Sequence, residues 1–219
     1  MIATAETCVP YRGDERPVVF VVDDDALVRD TIRDLLSSVG LWVESFASPH
    51  EFVQSKRPNG PGCLVLDVRL PGASGLEFQR ALAELRIQLP VIFISGHGNI
   101  SMSVRAIKSG AVEFLTKPLD EQELLDAVQA GIERDRTRLR QAQLVAELEE
   151  RFNSLTPRER EIMALVITGR PIKQIAYQLK LSDMTVKVHR GQVMRKMRAT
   201  SLIELARMGD KLGVSAEKS

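Results

Sequence analysis

Residues 18–25 are Val18-Val19-Phe20-Val21-Val22-Asp23-Asp24-Asp25, five apolar residues followed directly by three carboxylates. A short apolar run that ends in turn-forming residues is typical of a strand buried on both faces of a parallel sheet. Three later runs follow the same plan: 63–66 ends on Asp67, 91–94 ends on Ser95, and 112–116 ends on Lys117. Helical patterns separate these runs, so the sequence predicts repeated βαβ units.

The polar residues that end the four runs are expected to lie at one edge of the sheet, where open parallel sheets bind ligands. Clustered carboxylates repel one another and raise each other's pKa values. A bound Mg²⁺ ion would neutralise this repulsion. Asp24, with Asp23 beside it, is the candidate metal site, and Asp67 is the candidate nucleophile, since a carboxylate can form an aspartyl phosphate. The hydroxyl of Ser95 and the ammonium of Lys117 would bind oxygens of the phosphoryl group, which suits phosphoryl transfer.

Each of these residues taken alone has a simpler interpretation. A single Asp after a strand is more often a helix cap or a turn former than a nucleophile. Asp25 is expected to cap a helix over 26–39, and Lys117 before Pro118 also fits an ordinary turn. The four signals together, in this order and spacing, are harder to obtain by accident than any one of them.

With these motifs, the first 125 residues or so resemble a response-regulator receiver domain. The matching motifs are Val22–Asp25, Leu66–Gly72, Ile94–Gly98 and Thr116–Pro118. The resemblance implies an α/β fold, a doubly wound five-stranded parallel sheet of the flavodoxin-like type.

The resemblance also implies roles for individual residues. Asp67 would accept the phosphoryl group, and Mg²⁺ would be held by Asp24, Asp67 and the backbone carbonyl of Arg69, with Asp23 supporting the metal site. Ser95 takes the switch-hydroxyl position and Lys117 the lysine position. Phe114 takes the aromatic switch position, with plain core packing as the alternative. His97 lies near the site and is expected to be a loop residue rather than a ligand.

Composition narrows the class of protein. At 219 residues the chain is long enough for one large domain or two modest ones. Its two cysteines, Cys8 and Cys63, do not make a disulfide framework, which suits a reducing cytosol. No apolar stretch approaches the length of a membrane span, and residues 1–16 lack the apolar core of a signal peptide. We therefore expect a cytoplasmic protein with no membrane partner and a loose N-terminal tail.

The overall charge of +1 hides an asymmetry between the two ends of the chain. Residues 151–219 contain 14 Lys and Arg against 6 Asp and Glu, a net charge of +8. Residues 1–150 contain 16 against 23, a net charge of −7. A polyanion partner is therefore predicted for the C-terminal part only.

The two ends are connected by a helical pattern that begins near Asp120, and no Pro or Gly lies between Ile132 and Ser154. One long helix or a helix with a local break fits this pattern, either as an inert spacer or as a coiled-coil or docking element. Its stretch 133–138 is highly charged and expected to be solvated on most faces. The predicted organisation is a tail over 1–16, a receiver domain over 17–131, a helical linker over 132–152, a DNA-binding domain over 153–213 and a tail over 214–219.

The C-terminal segment has the pattern of an all-α, four-helix domain. Thr156-Pro157-Arg158-Glu159 forms a capping box that begins a helix, and Gly169 stops it. Further helices are predicted over 172–179 and 184–197, and a short one begins at Ser201. Two short helices joined by a tight turn, the second rich in Lys and Arg, outline a helix-turn-helix, although basic faces are often only solvated surfaces.

Residues 155–208 resemble the LuxR/FixJ-type helix-turn-helix, through the motifs 155–161, 173–176 and 185–190. The resemblance implies that the helix over 184–197 enters the major groove of DNA. Gly191 departs from the larger residue common at its position, and it weakens the helix by about 1 kcal/mol relative to Ala. The candidate DNA contacts are Lys173, Thr185, Lys187, Val188, His189, Arg190 and Lys196.

The function that these features predict is a bacterial two-component transcriptional regulator of FixJ-like layout, and not an enzyme in the ordinary sense. A sensor histidine kinase would phosphorylate Asp67, and a homodimer would place two recognition helices about 34 Å apart on double-stranded promoter DNA. RNA polymerase is a further possible partner. Two alternatives stay open: a phosphohydrolase, although Arg69 stands where its second carboxylate is needed, and an interaction protein whose basic domain binds another protein.

Overall fold

The computed structural model of the chain describes residues 16–58, 60–96 and 100–214. The chain divides into two compact units, Met1–Arg140 and Gln141–Ser219. The predicted tails, apart from Arg16 and Val214, lie outside the described residues, and so does His97. Among the described helices, none has the length and apolar character needed to cross a membrane.

The first unit alternates strands and helices, as the apolar runs predict. Its strands are β1 (Val18–Val22), β2 (Trp42–Phe46), β3 (Gly62–Asp67), β4 (Arg69–Leu70), β5 (Ala73–Ser74), β6 (Val91–Ser95) and β7 (Glu113–Thr116). Its helices are α1 (Ala26–Ser38), α2 (Pro49–Gln54), α3 (Gly75–Glu84), α4 (Ile100–Lys108) and the first part of α5 (Glu121–Asn153). The side chain of Asp25 caps α1 by accepting a hydrogen bond from the Leu27 amide, as expected.

Five of the strands form a parallel sheet in the order β2-β1-β3-β6-β7, and β4 and β5 pair separately as a short antiparallel ribbon. The strand order reverses between β1 and β3, which is where doubly wound sheets bind their ligands. The register pairs Val22 with Leu66, so β1 and β3 end side by side. The predicted doubly wound five-stranded sheet is confirmed.

Strand β2 has no counterpart among the four apolar runs. It lies at the edge of the sheet, beside β1 alone, and none of its five residues is buried. An edge strand of this kind carries mixed side chains, Trp42-Val43-Glu44-Ser45-Phe46, rather than a continuous apolar run. The fifth strand was therefore expected only from the family resemblance.

Both faces of the sheet are covered by helices, because alternate residues of each strand point to opposite faces. Val18, Phe20 and Val22 of β1 pack in the cluster that also holds buried side chains of α2, α3 and α4. Val19 and Val21 pack in a second cluster with α1 and α5. This burial of strands on both sides explains their unbroken apolar sequence.

Helix α5 is continuous from Glu121 to Asn153, which settles the choice between one helix and a broken one. Its packing on the sheet continues past the predicted boundary at residue 131, since Ile132 belongs to the second cluster. Asp135 is an exception to the solvated stretch 133–138: its side chain is 1% exposed and accepts a hydrogen bond from the Gly62 amide at 2.9 Å.

The second unit is all-α, as predicted. Its helices are the last part of α5, α6 (Pro157–Val166), α7 (Ile172–Leu179), α8 (Asp183–Met197) and α9 (Leu202–Lys211). Thr156 and Glu159 form the expected capping box at the start of α6. The inward faces of the helices meet in a core that includes Ile162, Ile175 and Val193.

Candidate functional site

Three carboxylates meet at the carboxyl end of the parallel sheet. Asp23 and Asp24 follow β1 directly, and Asp67 is the last residue of β3. One carboxylate oxygen from each lies within 4.8 Å of the others. Asp23 and Asp67 are buried, whereas Asp24 is exposed. The site therefore has an oxygen-only donor set that is open to solvent on one side, as a hard divalent cation requires.

Lys117, which follows β7, brings a positive charge to the same place. Its Nζ lies 2.7 Å from Oδ2 of Asp23 and 3.3 Å from Oδ1 of Asp67. Its backbone amide donates to the Ser95 carbonyl at 2.9 Å, which fixes the loop after β7 to the end of β6. Burial lowers the pKa of the Lys117 ammonium, but the Asp23 hydrogen bond and the two carboxylate charges outweigh it, so the pKa lies above its ordinary value.

The environment of Asp67 disfavours a bare negative charge. Burial raises the pKa of its carboxyl, the Lys117 charge lowers it, and the Asp23 charge raises it further, so the net direction is upward. The Arg69 amide donates to Oδ2 of Asp67 at 3.2 Å and holds the carboxylate in place. A second cation beside Asp67 would favour its ionised, nucleophilic form.

Three supporting residues of the site escaped the sequence-based prediction. Arg29 of α1 donates to the Asp23 carbonyl at 2.6 Å, and the Asp25 amide donates to the Asp23 carboxylate at 2.9 Å. A Cβ on Gly75 would lie 2.3 Å from the Asp67 carbonyl, so only glycine lets α3 begin against the end of β3. No sequence pattern links Arg29 to Asp23, which lies six residues earlier. Gly75 could have been found, because it ends the turn-forming sequence Pro-Gly-Ala-Ser-Gly.

The two predicted switch residues lie on one side of this cluster, on the neighbouring strands β6 and β7. Ser95 ends β6, is buried, and pairs in register with Thr116, the residue before Lys117. Phe114 of β7 is half-buried, and its ring centroid lies 6.4 Å from that of Phe93. Their positions suit either a switch or core packing.

A second candidate surface lies on α8 in the all-α unit. Its inward side chains are Val186, Val193 and Met197, all buried. Lys187 and Val188 are exposed, and Val188 is 54% exposed although it is apolar. Such a combination of a cation and an uncovered apolar side chain on one helix suits contact with phosphates and base edges in a major groove.

The other predicted DNA contacts differ in how accessible they are. Lys173 of α7 is exposed, whereas His189 and Arg190 are half-buried. Thr185 lies in the cap of α8, where its hydroxyl is 2.8 Å from that of Ser182. Lys196 has a partner within the protein: its Nζ lies 2.6 Å from Oε2 of the buried Glu159.

Two family models match this chain in separate places. The model of the response regulator receiver domain matches residues 19–129. The model of bacterial regulatory proteins of the luxR family matches residues 153–209. The first covers the strands that carry the carboxylate site, and the second covers α6, α7 and α8.

Individual proteins resemble the chain over nearly its whole length. Nodulation protein W of Bradyrhizobium diazoefficiens is 54% identical over 201 residues, which cover 92% of this chain and 88% of that protein. The response regulator protein TodT of Pseudomonas putida is 43% identical over 212 residues, 97% of this chain and 93% of its own. The solved structure of the response regulator StyR is 45% identical, with a TM-score of 0.80 over 90% of this chain and 100% of that one.

Proposed function

This chain belongs to the response regulators that join a receiver domain to a LuxR-type DNA-binding domain, and from that premise we propose that phosphorylation of Asp67 controls its binding to promoter DNA. The family is one of transcriptional regulators of two-component systems. The observation that carries the proposal is the meeting of the buried Asp67 carboxylate with two further carboxylates and the Lys117 ammonium.

A magnesium ion fits this donor set. Three carboxylates and one ammonium leave a net charge of −2 when all are ionised, and all the donor atoms are hard oxygens. The ligands that we propose are Asp23, Asp24, Asp67 and the backbone carbonyl of Arg69. When bound, the ion neutralises negative charge on the phosphoryl oxygens.

The phosphoryl group would come from a histidine of a sensor kinase. A carboxylate oxygen of Asp67 attacks the phosphorus, and the P–O bond forms as the P–N bond breaks. The imidazole nitrogen keeps the electron pair and takes up a proton, and Asp67 becomes an aspartyl phosphate. Lys117, already 3.3 Å from Asp67, would then bind an oxygen of the transferred group.

The new charge would shift the population of states at the carboxyl edge of the sheet. In this proposal the hydroxyl of Ser95 binds a phosphoryl oxygen, and Phe114 follows by turning further into the core. The surface around α4 and β7 changes as a result, and two copies of the chain pair through it. This pairing is the proposed origin of a homodimer on DNA.

For the DNA surface we propose Lys187, Val188 and Arg190 as contacts to base edges, and Lys173, Thr185 and His189 as contacts to the sugar-phosphate backbone. Lys196 is left out because its ammonium already neutralises the buried Glu159. Because it would bind promoter DNA on the chromosome, we propose that the protein acts in the cytoplasm. RNA polymerase is the further partner that we propose.

The test uses the full chain and a duplex selected from random DNA by the phosphorylated protein. We expect treatment with an acyl phosphate and Mg²⁺ to tighten binding and to increase the oligomer size of the wild type. The Asp67→Asn variant should stay at the untreated level in both measurements. Asp30→Asn, an exposed aspartate of α1 that pairs with Arg33, serves as the matched control and should respond like the wild type.

Two results would contradict the proposal. One is an Asp67→Asn variant that responds to the acyl phosphate as the wild type does. The other is a wild type whose affinity and oligomer size both stay constant. Catalytic turnover of a small phosphoester would instead favour a phosphohydrolase.

A further inference from the structure

Among the described residues, three glycines lie within helices after the first turn: Gly131 in α5, Gly191 in α8 and Gly209 in α9. Two of them face a neighbouring side chain at close range. A Cβ on Gly131 would lie 2.9 Å from Cβ of Cys63, and one on Gly209 would lie 2.8 Å from Cδ1 of Ile167. A Cβ on Gly191 would meet nothing within 4 Å.

Nothing in the fold of the domain requires glycine at position 191. The residue is exposed and helical, with no positive φ angle, so every L-amino acid except proline fits its backbone. Glycine is nevertheless the least favourable residue in a helix interior after proline. A glycine that weakens its own helix without a packing reason points to something outside the domain that needs the space.

The position of Gly191 on the helix indicates what that is. Residues three and four apart share a helix face, so Gly191 lies beside Lys187 and Val188 on one side and Arg195 on the other. All of these residues are exposed. Gly191 therefore lies in the middle of the surface that is proposed above to enter the major groove.

Resting on that proposed DNA surface, we propose that Gly191 lets α8 lie deep in the groove, so that Val188 contacts the C5-methyl group of a thymine. Glycine permits close approach of a backbone to a ligand. Val188 is short, and its side chain reaches a base edge only if the helix axis lies near the floor of the groove. An apolar side chain recognises thymine through its methyl group, which the other bases lack.

The test removes that methyl group from the DNA. The full-length, phosphorylated protein is titrated with its selected duplex and with copies in which each thymine in turn is replaced by deoxyuridine. The wild type should lose about fourfold in affinity at one thymine per half-site, the effect expected for one buried methyl group. Val188→Ala should lose this discrimination at the same thymine.

The glycine is tested with two substitutions of increasing size. Gly191→Ala should melt at the same or a higher temperature than the wild type, because alanine favours the helix, but bind the duplex about tenfold more weakly. It should no longer distinguish thymine from uracil, and Gly191→Leu should bind more weakly still. Gly209→Ala is the control, because it also replaces a glycine within a helix of this domain: it should keep both the affinity and the discrimination.

The outcomes separate this inference from the proposed function. If the wild type does not bind duplex DNA, the DNA-binding role itself fails, and the inference fails with it. If the wild type binds and responds to phosphorylation but tolerates every uracil, or if Gly191→Ala keeps both affinity and discrimination, only the inference is overturned.

Discussion

At the scale of single residues, the buried Glu159 forms an ion pair with Lys196 inside the DNA-binding domain. Glu159 accepts hydrogen bonds from the Thr156 amide at 2.8 Å and from Lys196 at 2.6 Å. Burial raises the pKa of the Glu159 carboxyl, but these bonds and the Lys196 charge outweigh it, so the pKa lies below its ordinary value of 4.5. The capping box was predictable from local spacing, but the partner 37 residues away was not.

We expect Glu159→Gln to lower the free energy of unfolding of this domain by about 1–3 kcal/mol at neutral pH, because a charge-assisted hydrogen bond is lost. A carboxyl whose pKa is depressed by folding stabilises the protein above its unfolded pKa and loses this effect as the pH falls. The difference in free energy of unfolding between wild type and variant should therefore shrink below about pH 4.5. Amide hydrogen exchange in α6 and α8 measures this free energy.

The matched control is Glu161→Gln on the same helix. Glu161 pairs with Arg158 on the surface, where both side chains are more than one third exposed, and such pairs contribute little. If Glu161→Gln lowered the free energy of unfolding as much as Glu159→Gln, burial of the ion pair would not be the cause of the destabilisation.

At the scale of elements, α5 is fastened to the sheet by the buried Asp135. Its carboxylate accepts from the Gly62 amide at the start of β3 and from Nε of Arg138 at 2.7 Å. Beside it, burial and then the Asp135 charge raise the pKa of the Cys63 thiol far above its ordinary value. The strand that ends on Asp67 is thus held by α5 at its other end.

Asp135→Ala should lower the free energy of unfolding of the receiver by about 1–3 kcal/mol, because the Gly62 amide is left buried without its partner. Trp42, the only tryptophan, reports this unfolding in urea by its fluorescence. In a Cys8→Ser background, Cys63 should resist alkylation in the parent and react faster in Asp135→Ala. Glu133→Ala, an exposed position on the same helix, should change neither measurement; equal effects would contradict the role of Asp135.

The elements differ in how well the sequence predicts them, for physical reasons. Strands β1, β3 and β6 are covered on both faces, so their burial leaves an unbroken apolar run, while the edge strand β2 leaves none. The site was predictable because parallel strands bring their ends together whatever their separation along the chain. The support from Asp135, 73 residues from Gly62, depends on three-dimensional packing that no local pattern records.

At the scale of the whole molecule, the charge of the two ends limits how phosphorylation can act. The first 150 residues carry a net charge of −7 and the last 69 carry +8. Phosphorylation replaces the single negative charge of the Asp67 carboxylate with the −1.5 to −2 or so of a phosphoryl group, so the acidic part becomes more negative by roughly one charge at most. This added charge would by itself repel DNA, so tighter binding after phosphorylation has to come from a change in conformation or assembly.

Salt dependence distinguishes these two routes. Each phosphate contact contributes about 0.9 to the slope of log affinity against log salt concentration. If phosphorylation pairs two DNA-binding domains on one site, the slope should about double, and Lys173→Ala should lower it by about one before phosphorylation and about two after it. Lys211→Ala, an exposed lysine of α9 outside the proposed surface, should leave both slopes unchanged. A slope that stays constant while the affinity rises would mean that the number of phosphate contacts does not change, which would contradict pairing of the DNA-binding domains on phosphorylation.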